Sequence, residues 1–282
     1  MSIRAVDCHM HIFGDQTRYP FAEPRSYTVP PASVEDYWRA VAGTDIARVV
    51  VVQPSPYARD NSCTLDALDS FGEAARGVAV IDPDTTTDSD LAMLHARRVR
   101  GVRVNLRSVR AAAVPVAEAL PKIDRLLAGS GWHIQVFCDP EVLSELAPVQ
   151  AGLRVPLVLD HFGAIDPLAA ERHVGDMRRL VEAGAWVKLS GSYRISSGPD
   201  GAGVADLARA IHGTAPDRMV WASDWPHTPQ HGGATASGDA VLPYRDLDTA
   251  GLYRAVADWF PDETVRRAIL QDNPRRLYDW SD

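Results

Sequence analysis

Two histidines one residue apart, in Asp7-Cys8-His9-Met10-His11, are the sharpest chemical signal in this chain. Side chains on a strand alternate, so His9 and His11 are expected to face one way and Cys8 and Met10 the other. Two imidazoles so placed can bind one metal ion or jointly polarise a carbonyl oxygen. The pair alone is a weak signal. It gains weight from two polar residues that end apolar runs: His161 closes Pro156-Leu157-Val158-Leu159-Asp160-His161, and Asp224 closes Met219-Val220-Trp221-Ala222-Ser223-Asp224. Taken singly, His161 reads as a satisfied buried histidine and Asp224 as a helix cap before Trp225-Pro226. Together with His9 and His11 they form a convergent cluster.

Arginines are the second theme. Arg103 lies inside an apolar run, Arg107 and Arg110 follow it, and Arg194 ends Ser190-Gly191-Ser192-Tyr193-Arg194. An unpaired buried guanidinium is very costly, so each buried arginine needs an anionic partner. That partner is either a bound carboxylate or a structural acid such as Asp160 or Asp82. His227 and His231 follow the Asp224 run, and His227 is a candidate pocket residue. His133 opens its run and reads as structural, whereas His95, His173 and His212 sit in helix-compatible segments and are expected to face solvent.

Eight β-branched runs position these residues: Val6 to Phe13, Ala47 to Pro54, Gly77 to Ile81, Gly101 to Asn105, His133 to Phe137, Pro156 to Gly163, Trp186 to Gly191, and Met219 to Trp225. Helix-compatible segments separate them, the pattern of parallel strands with crossover helices. Eight such units close most simply into an α/β single-domain (β/α)8 barrel spanning residues 1–282, whose polar strand exits fall on the catalytic end. A doubly wound open sheet is the competitor, disfavoured by the lack of GxGxxG after the first strand. The segments 14–31 and 228–243 are too long for ordinary βα loops and are expected to wall the pocket. Asn273 to Tyr278 reads as a turn with apolar anchors that seal the barrel.

Composition narrows the class. With 46% hydrophobic and 23% charged residues in 282, the chain has material for a large core. A net charge of −8 without basic runs argues against nucleic-acid or membrane partners. A small anionic substrate is still compatible, because a few arginines create a local positive field. No signal-peptide pattern opens the chain, and no apolar run approaches the roughly 20 residues of a spanning helix. Cys8, Cys63 and Cys138 form no disulfide framework, so a cytoplasmic setting is expected. Both a monomer and a homodimer are compatible with the sequence.

With DCHMHIFG, VVVQPS, GVRVN, LDHFG, ASDWPH and DNPRRLY in order, the chain resembles the amidohydrolase superfamily, specifically its 2-pyrone-4,6-dicarboxylate lactonase-like branch, from Val6 to Tyr278. The stretches Phe13-Gly14, Tyr19-Pro20-Phe21, Ser26-Tyr27-Thr28 and Asp60-Asn61 add to the likeness. The resemblance implies a distorted (β/α)8 barrel that hydrolyses lactones or related small carboxylated substrates. It makes His9 and His11 the first-strand histidines, His161 the sixth-strand histidine, and Asp224 the general base. It places Arg103, Arg194, Tyr27 and Ser55 where such enzymes hold substrate carboxylates, with Arg107 or Arg110 as a further anchor. Phe137 departs from the branch, which carries a tyrosine there.

The mechanism expected from this resemblance has Asp224 deprotonate water, which attacks a lactone carbonyl polarised by His9, His11 and His161. No metal is expected, as in the branch resembled and because His133 lies at the wrong end of its strand to complete the superfamily's usual site. The alternative is a catalytic zinc held by His9, His11 and Asp224, in a lactonase for sulfonated or sugar-acid lactones or in a decarboxylase. A lactone isomerase and a non-catalytic barrel that binds an anionic metabolite are the other readings.

Overall fold

The structure is a computed structural model that describes residues 4–108, 115–196, 201–229 and 240–280. Its eight strands are β1 (Ala5–Met10), β2 (Ile46–Val52), β3 (Ala75–Ala79), β4 (Val99–Asn105), β5 (His133–Phe137), β6 (Leu157–Leu159), β7 (Trp186–Leu189) and β8 (Met219–Trp221). Each pairs in parallel with the next. The ring closes where β1 meets the exit of β8, through a Met10–Trp225 bridge, Asp224 N–H to His9 O at 2.9 Å and His11 N–H to Trp225 O at 2.8 Å. All eight expected runs are strands. β6 and β8 stop sooner than their apolar runs, because the chain turns into left-handed backbone at His161 and Asp224.

Helices cover the sheet: α1 (Val34–Ala40), α2 (Ser62–Phe71), α3 (Asp88–Ala96), α4 (Val116–Leu127), α5 (Leu143–Gln150), α6 (Val174–Glu182), α7 (Ser192–Ile195), α8 (Val204–His212), α9 (Thr249–Arg254), α10 (Val256–Trp259), α11 (Glu263–Arg267) and α12 (Asn273–Leu277). Their starts are written locally. Ser33 and Asp36 form a capping box at α1, and Thr87 and Asp90 one at α3, each satisfying two orphan N–H groups. Asn273 to Leu277, expected as a turn, is helical and continues from helical backbone at Ala268–Asp272.

Burial follows strand alternation. Val49 and Val51 of β2 pack outward under the helices, whereas Val50 and Val52 belong to a separate cluster with Val6, Val78, Val158 and Val220 inside the ring. Leu277, Tyr278 and Trp280 join that inner cluster, so the segment after α12 seals the end opposite the strand exits, as its anchors suggested. The Tyr278 hydroxyl lies 3.4 Å from Cys8 O, and the Trp280 ring sits under the guanidinium groups of Arg48 and Arg76, 5.5 and 4.9 Å away. The 14–31 segment packs over the other end. Phe13 and Ala32 form an antiparallel bridge, Thr28 pairs with Val241, and Tyr27 and Val29 are buried.

Candidate active site

Simple alternation fails at β1, and the failure shapes the site. Asp7 pairs with Val49 but Met10 pairs with Val51, so β1 carries one more residue than β2 over this stretch. Cys8 stays in the inner cluster with Val6, as alternation gives, but beyond the bulge Met10 packs outward and does not share the face of Cys8 as expected. Both His9 and His11 still meet inside the barrel mouth, with their Nε2 atoms 3.2 Å apart.

Each histidine of the cluster is fixed through its Nδ1. That of His9 contacts Asp160 Oδ1 at 3.2 Å, that of His11 the carbonyl of Val52 at 2.7 Å, and that of His161 the Ser190 hydroxyl at 2.9 Å. All three Nε2 atoms then converge on Asp224 Oδ1, each 3.8 Å away. A carbonyl only accepts, so His11 carries its hydrogen on Nδ1 and a bare lone pair on Nε2. The ionised Asp160 imposes the same tautomer on His9. Burial holds the rings neutral: His11 is pushed down to about 3, His161 to about 4, and His9 well below its ordinary value. Two lone pairs therefore face each other across 3.2 Å, an arrangement relieved by a cation between them.

Asp224 is gripped on its other oxygen. Oδ2 accepts from the Tyr193 hydroxyl at 2.6 Å and from Arg194 Nε. Burial works to raise this carboxyl, but the Arg194 guanidinium beside it overcomes that and holds Asp224 well below the usual carboxylate range. Its backbone is left-handed (φ +61°), as is that of His161 (φ +50°), a conformation Asp and His tolerate better than most residues and that recurs at functional sites. Asp7 holds this turn from outside the barrel. It accepts from Ser223 N–H at 2.9 Å, from the Ser223 hydroxyl, from Tyr37 OH at 3.1 Å and from His9 N–H at 3.2 Å.

The arginines divide. Arg103 points inward from β4, with Nη1 3.2 Å from Gln53 O and Nε 3.5 Å from Asp160 Oδ2, so a structural acid lies within its reach. The acid beside Arg194 is Asp224 itself, and its Nη2 donates to Thr228 Oγ1 at 2.7 Å. Tyr27 is buried between Ser55 and Thr228, within the field of Arg194 and Arg103. Arg107 is exposed and pairs with Asp139 at 3.0 Å, its guanidinium 5.0 Å over Phe137. Phe137 meets His161 edge-on at 4.9 Å, where a tyrosine hydroxyl was the family expectation. His227 is buried, with Nε2 2.9 Å from Thr249 Oγ1. Arg110 and His231 lie outside the described residues.

Sequence reasoning passed over Tyr193, Gln135, Lys188 and Ser190. Lys188 is fully buried in the barrel, donates to Gln135 Oε1 at 2.6 Å and lies 3.7 Å from Asp160 Oδ1. Burial pushes it down to about 8 against the pull of that carboxylate. Gln135 Nε2 in turn donates to Asp160 Oδ2 at 2.9 Å. A lysine inside the apolar run Trp186-Val187-Lys188-Leu189 was the available signal, by the argument applied to Arg103. His133, near the sealed end, stands 5.1 Å from the Tyr278 ring.

The family model described as "Amidohydrolase" matches residues 6–280. A 4-sulfomuconolactone hydrolase of Rhizobium radiobacter is 33% identical over 97% of this chain and 89% of its own length. A 2-pyrone-4,6-dicarboxylate hydrolase of Comamonas testosteroni is 31% identical over 97% and 90%. A solved structure from Pseudomonas putida, 24% identical, superimposes with a TM-score of 0.82 over 99% of this chain and 98% of that one, which speaks for the barrel fold.

Proposed function

This chain belongs to the amidohydrolase family, and from that premise we propose that it hydrolyses a carboxylated or sulfonated lactone at the cluster of His9, His11, His161 and Asp224. The observation that carries the reading is the convergence of three imidazole Nε2 atoms on one Asp224 oxygen, each at 3.8 Å. A binding module has no use for a carboxylate so surrounded, whereas ester opening needs a base and an electrophile at one point.

The donor chemistry fits the zinc alternative better than a cluster that polarises the carbonyl alone. His9 and His11 present lone pairs, not N–H groups, so neither can donate to a carbonyl oxygen. With Asp224 Oδ1 they form a three-atom group suited to a divalent ion, and the Asp160 and Val52 contacts supply the outer hydrogen bonds such ligands need. Such an ion, when bound, acidifies water and polarises the ester carbonyl. That assistance matters because Asp224, held low by Arg194, is a weak base toward free water.

The residues of the chain do the rest. Asp224 accepts the proton of the attacking water while Tyr193 and Arg194 hold its other oxygen still. The Ser190 hydroxyl can donate to His161 Nδ1, which leaves His161 Nε2 carrying a hydrogen for the ester oxygen. The acyl–oxygen bond of the ring breaks, the proton taken by Asp224 passes to the ring oxygen that leaves, and the new carboxylic acid gives its own proton to solvent to become a carboxylate. Arg103, Arg194, Tyr27 and Ser55 orient the substrate's acidic groups, the task for which bidentate arginines suit.

A screen of dicarboxylated, sulfonated and sugar-acid lactones with a pH indicator tests the reading. The wild type is expected to release acid from at least one, and Asp224→Asn to turn it over about 10²- to 10⁴-fold more slowly. Full hydrolysis by Asp224→Asn would refute the assignment of the base, and rearrangement without acid release would point to an isomerase.

A further inference from the structure

Among the described residues, the lactone-hydrolase reading leaves Arg245 at the catalytic end without a task. Arg103, Arg107 and Arg194 have Asp160, Asp139 and Asp224 beside them. Arg245 has no carboxylate partner among the described residues, and its Nε is buried without a hydrogen-bond partner. It stands on the strap 240–248, which is tied down from both sides. Leu242 N–H donates to Thr28 O at 2.8 Å, and Arg245 N–H to His227 O at 2.9 Å.

The strap lays the Arg245 guanidinium 5.2 Å from the ring centre of Tyr193, the residue whose hydroxyl grips Asp224. Arg194 stands 5.1 Å from the same ring, and His227 meets it edge-on at 5.4 Å. The Nδ1 of His227 is also buried without a partner. One tyrosine ring thus gathers two guanidinium groups and a histidine, and two buried polar nitrogens among them are unsatisfied. Buried polar atoms left so cost free energy. A bound anion removes that penalty. The aromatic face fixes the guanidinium plane and leaves its N–H edge for a planar or tetrahedral oxyanion.

We propose that Arg245, together with His227 Nδ1, forms a subsite for an acidic group, carboxylate or sulfonate, carried by the substrate away from the ester that is cleaved. The proposal rests on the lactone-hydrolase reading and adds to it a specificity residue that lies outside the Asp224 cluster. It restricts the substrate to lactones with a remote negative charge.

The test uses one lactone ring in three forms: with a remote carboxylate, with a sulfonate in its place, and with the neutral carboxamide. The wild type is expected to favour at least one acid over the amide by about tenfold or more in KM, the scale of one charge-assisted pair. Arg245→Met is expected to reduce that preference to within about twofold, and Arg245→Lys to restore part of it. Calorimetric titration with glutarate, an unreactive dicarboxylate, gives a second readout, with about tenfold weaker binding expected for Arg245→Met. Unchanged preference and unchanged glutarate affinity would overturn the proposal. A wild type that opens no lactone, yet binds glutarate more tightly than Arg245→Met, would defeat the hydrolase reading and leave the subsite standing. Thermal unfolding checks that each variant is folded, and Arg245→Gln replaces the methionine variant if that one is not.

Discussion

A neutral imidazole has one lone pair, and the partner of its other nitrogen decides where that lone pair points. Val52 O and Asp160 make this decision for His11 and His9, and the result is a pair of acceptors aimed at each other and at Asp224. The residue types were legible in the sequence, because two histidines on a strand and polar residues at strand exits stand out from apolar surroundings. The tautomers were not, since they depend on contacts from β2 and from the exit of β6. Tyr193 was missed because its hydroxyl reaches Asp224 only after a left-handed turn at Gly191 (φ +60°). That glycine also touches the cluster: a Cβ there would lie 2.9 Å from His161 Nδ1. Gly191→Ala is accordingly expected to lower stability by about 1–2 kcal/mol and to push His161 out of line, cutting kcat by about 10²-fold. Steady-state kinetics and urea unfolding check both, and an unchanged kcat would mean that His161 does not need its present position.

At the scale of elements, the strands were read more reliably than their ends. β-Branched runs flanked by turn residues mark a buried parallel strand, and all eight were found so. A bulge is a relation between two strands, visible only when β1 is laid against β2, so the displacement of Met10 from the face of Cys8 left no trace in β1 alone. The β1–β8 seam shows what the early aspartate does. Asp7, raised to about 6 by burial despite its donors, receives hydrogen bonds from Ser223, Tyr37 and His9 and so joins the exits of β1 and β8 to α1. Asp7→Ala strands several buried donors at once and is expected to cost about 2–4 kcal/mol, with activity lost alongside. Chemical denaturation measures the loss; a change below about 0.5 kcal/mol would show that the seam holds without the carboxylate.

The whole molecule shows a consequence of filling a barrel with polar groups. Burial pushes His133 from its ordinary 6.5 down to about 3 and His227 to about 4, so the folded protein keeps them neutral where the unfolded chain protonates. Between those values the unfolded state binds more protons, so stability is intact above about pH 6.5 and falls as the pH drops through the window. Each such histidine contributes a slope of up to about 1.4 kcal/mol per pH unit. His133→Phe, at the sealed end and remote from Asp224, is expected to flatten the acid limb of the stability curve by about that amount, as measured by denaturation from pH 7 to pH 4.5. An unaltered slope would mean that His133 takes up a proton in the folded state. The barrel itself was legible from the count and order of runs. The polar interior was legible only in part: Arg103, Asp160 and Lys188 stand out within apolar runs, but that Lys188 and Gln135 share the Asp160 carboxylate shows only once β5, β7 and the exit of β6 lie side by side. No helix among the described residues is long and apolar enough to cross a membrane.

The opposed lone pairs of His9 and His11 and the carboxylate they share with His161 are tested together by one assay. Acid release from a carboxylated or sulfonated lactone is followed with protein stripped by a chelator and again after zinc is restored. Turnover is expected to vanish on stripping and to return with about one zinc per chain. Full turnover by the stripped protein would contradict the cation between the two histidines, and no turnover in either state with any such lactone would contradict the hydrolase itself.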